Sequence, residues 1–155
     1  MNRRHFIFWA IASAPLCWTQ SRGVSWNKVR YRGGTVAAKV NPYDWNTTLT
    51  VSPDGIGFVF GSKPFRLRTS QVVSLSYGVE AHRKVARVVD AIAVALTLNP
   101  LGLFGLLKDR QDHLIGIVYQ DDDGKQGAIL LESDSYRSIL LVLENSTGKR
   151  AEKSP

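Results

Sequence analysis

Thr48-Leu49-Thr50-Val51-Ser52-Pro53-Asp54-Gly55-Ile56-Gly57-Phe58-Val59-Phe60 is the stretch whose reading decides the fold. Leu49 and Val51 alternate with Thr48 and Thr50, which is the period of two that gives a strand one apolar face. Ser52-Pro53-Asp54-Gly55 then reverses the chain, with Pro and Gly where their backbone limits suit a turn. Ile56, Phe58 and Phe60 carry the apolar face back along a second strand. Gly61-Ser62-Lys63-Pro64 turns the chain again. Phe65 and Leu67 are expected to face in with Arg66 and Arg68 out, and Val73, Leu75 and Tyr77 form the next inward set. Short strands at this spacing predict a small antiparallel barrel or sandwich.

Upstream, Val29-Arg30-Tyr31-Arg32 alternates and is expected to stop at the turn pair Gly33-Gly34, with a second short extended piece over residues 35–40. Downstream the rhythm changes. Val85, Val88, Val89, Ile92 and Leu96 recur at helical spacing, so a helical apolar insertion is predicted over about residues 80–110. Strands resume at residues 114–120, turn at 121–125 and return at 128–132. Ser133 or Asp134 then caps a C-terminal helix over about 134–146, with Tyr136, Ile139, Leu140 and Leu143 on its apolar face and Gly148 as its stop. The tail from Lys149 is expected to be loose. The fold class predicted is mainly β, with a C-terminal capping helix.

The chain has 155 residues, 44% apolar and 21% charged, the mixture of a packed domain. Twenty Lys and Arg against 13 Asp and Glu give a net charge of +7. Residues 24–88 hold 10 basic and 3 acidic side chains, while 89–155 hold 7 and 10. A basic half of this kind attracts phosphate or anionic lipid. The single cysteine, Cys17, excludes a disulfide framework and any cysteine-based zinc or iron–sulfur site.

Residues 1–23 open with Arg3, Arg4 and His5, continue with an uncharged run from Phe6 to Trp18, and exit through small and polar residues. That is the pattern of a secretory signal, with cleavage near Ser21 or Gly23. An uncleaved anchor and a buried N-terminal element are the alternatives. The expected organisation is a signal peptide, 1–23, and one β domain, 24–155.

The candidate sites are few. Asp121-Asp122-Asp123-Gly124 lacks the ligand spacing of a calcium loop and has the composition of a hairpin turn. No GxSxG, HExxH or phosphate-binding GxxxxGK is present, so no catalytic residue, metal or cofactor is assigned. His82 and His113 read as structural. Arg30 with Arg32, and Arg66 with Arg68, are the anion-binding candidates, because a spacing of two on a strand puts each pair on one face. The plain alternative is that outward strand positions are often charged. Nucleic acid is not an expected partner, since no stacking motif accompanies the charges.

Residues 91–107 carry no charge, and Asn99-Pro100 and Gly102 interrupt them. A helix–turn–helix lid, a membrane-touching hairpin and a span are the alternatives. Under the second, Leu101, Leu103, Phe104, Leu106 and Leu107 are the membrane-contact candidates.

Six to seven short strands and one closing helix resemble the pleckstrin-homology-like superfold, including GRAM-type domains. The polar strand, Pro-Asp-Gly turn and aromatic strand of residues 49–77 carry that likeness. Tyr31-Arg32-Gly33-Gly34-Thr35, Ser76-Tyr77-Gly78 and Tyr136-Arg137-Ser138-Ile139-Leu140 further resemble a group of exported bacterial proteins of unknown role. The resemblance implies a fold and no activity. The functional expectation is therefore a non-enzymatic, exported envelope module, periplasmic or membrane-associated, that binds a partner protein or an anionic lipid surface. The rival readings are an enzyme with a site assembled from scattered residues and a membrane-anchored protein.

Overall fold

The computed structural model describes residues 23–93 and 113–153. The signal-like segment with Cys17, and the segment holding Leu101, Leu103, Phe104, Leu106 and Leu107, lie outside the described residues.

The described chain is mainly β. Strands β1 (Val24–Gly34), β2 (Thr47–Ser52), β3 (Gly55–Phe60), β4 (Lys63–Leu67) and β5 (Val72–Tyr77) precede helix α1 (Val79–Ala93). Strands β6 (Leu114–Gln120) and β7 (Gln126–Glu132), helix α2 (Tyr136–Thr147) and strand β8 (Ala151–Lys153) follow. The strands form one open sheet in the order β4-β3-β2-β1-β7-β6-β5-β8. Every pairing is antiparallel except that of β5 with β8, so the sheet is mixed rather than antiparallel throughout.

The quoted stretch behaves as its pattern predicts. Leu49, Val51, Ile56, Phe58 and Phe60 are buried on one face, and β2 and β3 pair in register from Thr47↔Phe60 to Ser52↔Gly55. Phe65 packs against that core and Leu67 is buried, while Arg66 and Arg68 are exposed. Burying each such apolar side chain contributes about 1.5–3 kcal/mol.

β1 joins the two parts of the sheet. Its first half pairs with β2 from Val24↔Val51 to Val29↔Thr47, and its second half pairs with β7 from Arg30↔Glu132 to Gly34↔Ile129. Register shifts lie between Trp26 and Val29 and between Tyr31 and Gly33. Irregularities of this kind bend a strand and let it pass from one layer to the next. One core runs between the layers, from Val29, Tyr31 and the β2–β4 residues to Leu75, Ile115, Ile117, Ile129 and Leu131, with Ile139, Leu140 and Leu143 of α2 closing it.

A second, smaller core lies on the outer side of β6 and β7, where Ala81, Val85 and Val89 of α1 meet Leu114, Val118, Ala128 and Leu130. This accounts for the continuous apolar runs in β6 and β7, which are covered on both faces. The helical stripe at Val85, Val88 and Val89 is thus a packing face, and Leu96 lies outside the described residues.

Four expectations are corrected. The strand ends at Gly34 as expected, but Gly33 and Gly34 pair with β7 instead of forming a turn, and a Cβ on Gly34 would stand 2.2 Å from the Ala128 carbonyl oxygen. Residues 35–40 form no strand, because Thr35 instead donates its N–H to Ala128 and the Val36 carbonyl accepts the Tyr31 hydroxyl at 2.9 Å. Val73 faces out and is 44% exposed, since the register shift between Val72 and Ser74 makes it the extra residue. Within the tail, Ala151–Lys153 form β8. Helix α2 begins at Tyr136 and stops at Gly148, whose φ of 69° is the left-handed cap conformation that glycine adopts without strain.

Candidate functional site

The two arginine pairs do not converge. β2 and β3 separate β1 from β4 in the sheet, and each pair has its own acidic partner.

Arg30 and Arg32 project from the same face of β1 toward Glu132, which stands opposite Arg30 at the end of β7. The Glu132 side chain is fully buried. Arg30 Nη1 lies 3.4 Å from its Oε1, and the Arg32 guanidinium grips Oε2 through Nε and Nη2. The two arginine side chains are 16% and 10% exposed. Two guanidiniums against one carboxylate leave one net positive charge. The Nε–H of Arg30 is buried and has no hydrogen-bond partner among the described residues.

The irregular segment 35–46 folds back over this triad. The Arg30 guanidinium carbon sits 3.7 Å from the centre of the Trp45 ring, and that of Arg32 lies 5.8 Å from the Tyr43 ring. Aromatic faces attract guanidinium groups and strip water from them. Tyr43 is 52% exposed, and Lys39 is exposed on the same segment. Lys63 Nζ donates to the Ala37 carbonyl at 2.6 Å, bringing a further cation to the segment's base. On the opposite face of β1, burial pushes the Tyr31 hydroxyl far above its ordinary range, and the nearby Tyr119 adds to this.

Arg66 and Arg68 have a different setting. With Asp54, Gly55, Leu67, Gln71 and Asp122 they line an open cleft of about 310 Å³. Arg68 and Asp122 form an ion pair with both side chains mostly exposed, and Gln71 also reaches Asp122. Two cations and two carboxylates balance, so the cleft carries no formal net charge.

The remaining polar clusters are accounted for by the fold. Asp121 Oδ1 accepts the N–H groups of Asp123 and Lys125, at 3.0 and 2.8 Å, which makes the acidic run a hairpin turn. His113 stacks on Tyr136 at 5.1 Å and lies 3.2 Å from Asp134. Burial lowers the pKa of His82 at the start of α1. Among the described residues, no group of three or more His, Cys, Asp or Glu side chains is placed to hold a metal ion. None of their helices is long and apolar enough to cross a membrane.

The sequence reading missed Glu132, Tyr43 and Trp45. Glu132 carries the one available signal, an acid closing the apolar run Ala128-Ile129-Leu130-Leu131. Such an acid is buried only when cations meet it. No protein-family model matches the chain and no curated protein matches it, so the Arg30–Glu132–Arg32 triad under its aromatic segment is the candidate site on its own geometry.

Proposed function

We propose that the chain is a non-enzymatic, exported envelope module of pleckstrin-homology-like architecture that binds an anionic membrane surface or the acidic face of a partner protein. The architecture rests on the strand order 4-3-2-1-7-6-5 with a C-terminal helix closing the core. The departures from that plan are α1 between β5 and β6, and β8 after the helix. Export rests on the signal-like pattern of residues 1–23.

One observation carries the binding reading: the triad keeps a net positive charge, fixed by a buried carboxylate, beneath an exposed aromatic side chain. A preorganised cation loses little freedom on meeting an anion. The exposed Tyr43, on the segment that also carries the exposed Lys39, supplies the apolar part of the two-signal contact by which proteins hold to anionic interfaces.

Flotation of the chain with phosphatidylcholine vesicles, with and without phosphatidylserine, tests this. Binding is expected only with the anionic lipid, weakening as salt rises, and reduced by Tyr43→Ser combined with Lys39→Glu. Where the occupant is a protein, the same double change is expected to abolish a salt-sensitive cross-link to an envelope component. The reading fails if the wild type neither floats nor cross-links, or if the double change alters neither.

A further inference from the structure

Beyond β5 the sheet continues only as the short β8, the last strand among the described residues. β8 pairs only with Leu75, Ser76 and Tyr77. Among the described residues Val72, Val73 and Ser74 have no strand on that side. The cover is partial because it is tethered. α2 ends at its Gly148 cap, and only Lys149 and Arg150 separate that cap from Ala151, so the tail meets β5 halfway along.

Three contacts hold the tail down. Ala151 packs against the main core and donates its N–H to Glu144 Oε1 at 2.7 Å. Glu152 forms an ion pair with Lys84 of α1. Lys153 places its ammonium 5.7 Å from the centre of the Tyr77 ring. Glu152 and Lys153 are exposed, and a three-residue parallel ladder is the weaker kind of pairing and a short one.

From this geometry we infer that the β5 edge is a strand-accepting site for an extended segment of a partner protein, and that β8 is its displaceable occupant. The tail shows what fits. The segment runs parallel to β5, sets a small residue opposite Leu75 and follows it with an acid that reaches Lys84. It has residues ahead of these that extend the pairing to Ser74 and Val73, the exposed part of the edge, Val72 being buried. A segment without the tether to α2 uses the five positions from Val73 to Tyr77 where β8 uses three. Main-chain bonds supply affinity in strand addition, and side-chain pockets supply choice. This surface is separate from the arginine triad, so the two proposals stand or fall independently.

The test uses the full chain and a fluorescein-labelled peptide, Thr-Val-Thr-Ala-Glu-Lys, titrated by fluorescence anisotropy. Ala151→Pro removes the N–H bonded to Glu144 and opens the edge. This variant is expected to bind the peptide about tenfold or more tighter than the wild type, whose own tail competes at high effective concentration. A peptide with Lys in place of Glu is expected to lose that binding, and Lys84→Glu in the Ala151→Pro background to restore it. The inference is overturned if Ala151→Pro keeps a cooperative melt yet binds no tighter than the wild type, or if the charge exchange changes nothing. Should Ala151→Pro melt without cooperativity, Glu152→Lys, which leaves every backbone donor in place, is judged by the same two outcomes.

Discussion

On β1, Arg30 and Arg32 share one fully buried carboxylate beneath two aromatic rings; on β4 and just past its end, Arg66 and Arg68 stand exposed in a cleft with two carboxylates. Both pairs have the same spacing of two along the chain. The difference follows from their place in the sheet. β1 is an inner strand, so an outward side chain meets a cross-strand neighbour, and in this register Arg30 faces Glu132. β4 is an edge strand, where charge faces water and discourages pairing with a second chain. A charged pair on an inner strand is part of the packing; the same pair at an edge is solvated.

Removing the buried member of the inner cluster is expected to have the largest effect. Glu132→Gln leaves two partly buried guanidiniums without their carboxylate, at a cost of about 3–5 kcal/mol in urea unfolding. A loss below about 1 kcal/mol would erase the distinction between the two pairs. Next comes Arg32→Met, which leaves Glu132 with Arg30 at 3.4 Å and is expected to cost about 1–3 kcal/mol by the same measurement.

At the edge, Asp122→Asn breaks the exposed pair with Arg68 and is expected to change stability by ~0–1 kcal/mol, fading as salt is added. A larger, salt-insensitive loss would mean that the cleft is part of the packing too.

The smallest effect belongs to a group in neither pair. His82 has its pKa lowered by burial below its ordinary 6.5, so the folded state prefers the neutral ring. Its contribution is fully present above pH 6.5 and is lost as pH falls through 6.5 toward the lowered value, because the unfolded chain takes up the proton first. His82→Gln is expected to flatten thermal melts across that window without moving those at pH 8.

What was legible in the sequence was whatever depends on neighbours a few residues away. The β2–β3 hairpin announced itself through alternation and a Pro-Asp-Gly turn, α1 through its valine stripe, and α2 through its apolar face and its glycine stop. Long-range pairing was not legible. Gly33-Gly34 has the composition of a turn but lies in a strand because β7 approaches it closely. Val73 fits an inward pattern until a shift against β6 turns it out. The tail has too few apolar residues to read as a strand, and its pairing comes from the open β5 edge and from Lys84. The arginine pairs were visible as local patterns, whereas the fates that separate them depend on Glu132, 102 residues beyond Arg30, and on Asp122, 54 beyond Arg68.

The divided pairing of β1 has a kinetic consequence. During synthesis the strands β1 to β4 emerge together, and their meander is complete once Leu67 is made. The second half of β1 then waits for β7, across the same separation of about a hundred residues. Closing so large a loop is what makes β-topologies slow to fold. Until then that half of β1 has no strand partner on its β7 side, and two adjacent positive charges there disfavour pairing with the same edge of a second copy. The arginines that grip Glu132 in the finished sheet thus place like charges on that edge while it is still incomplete.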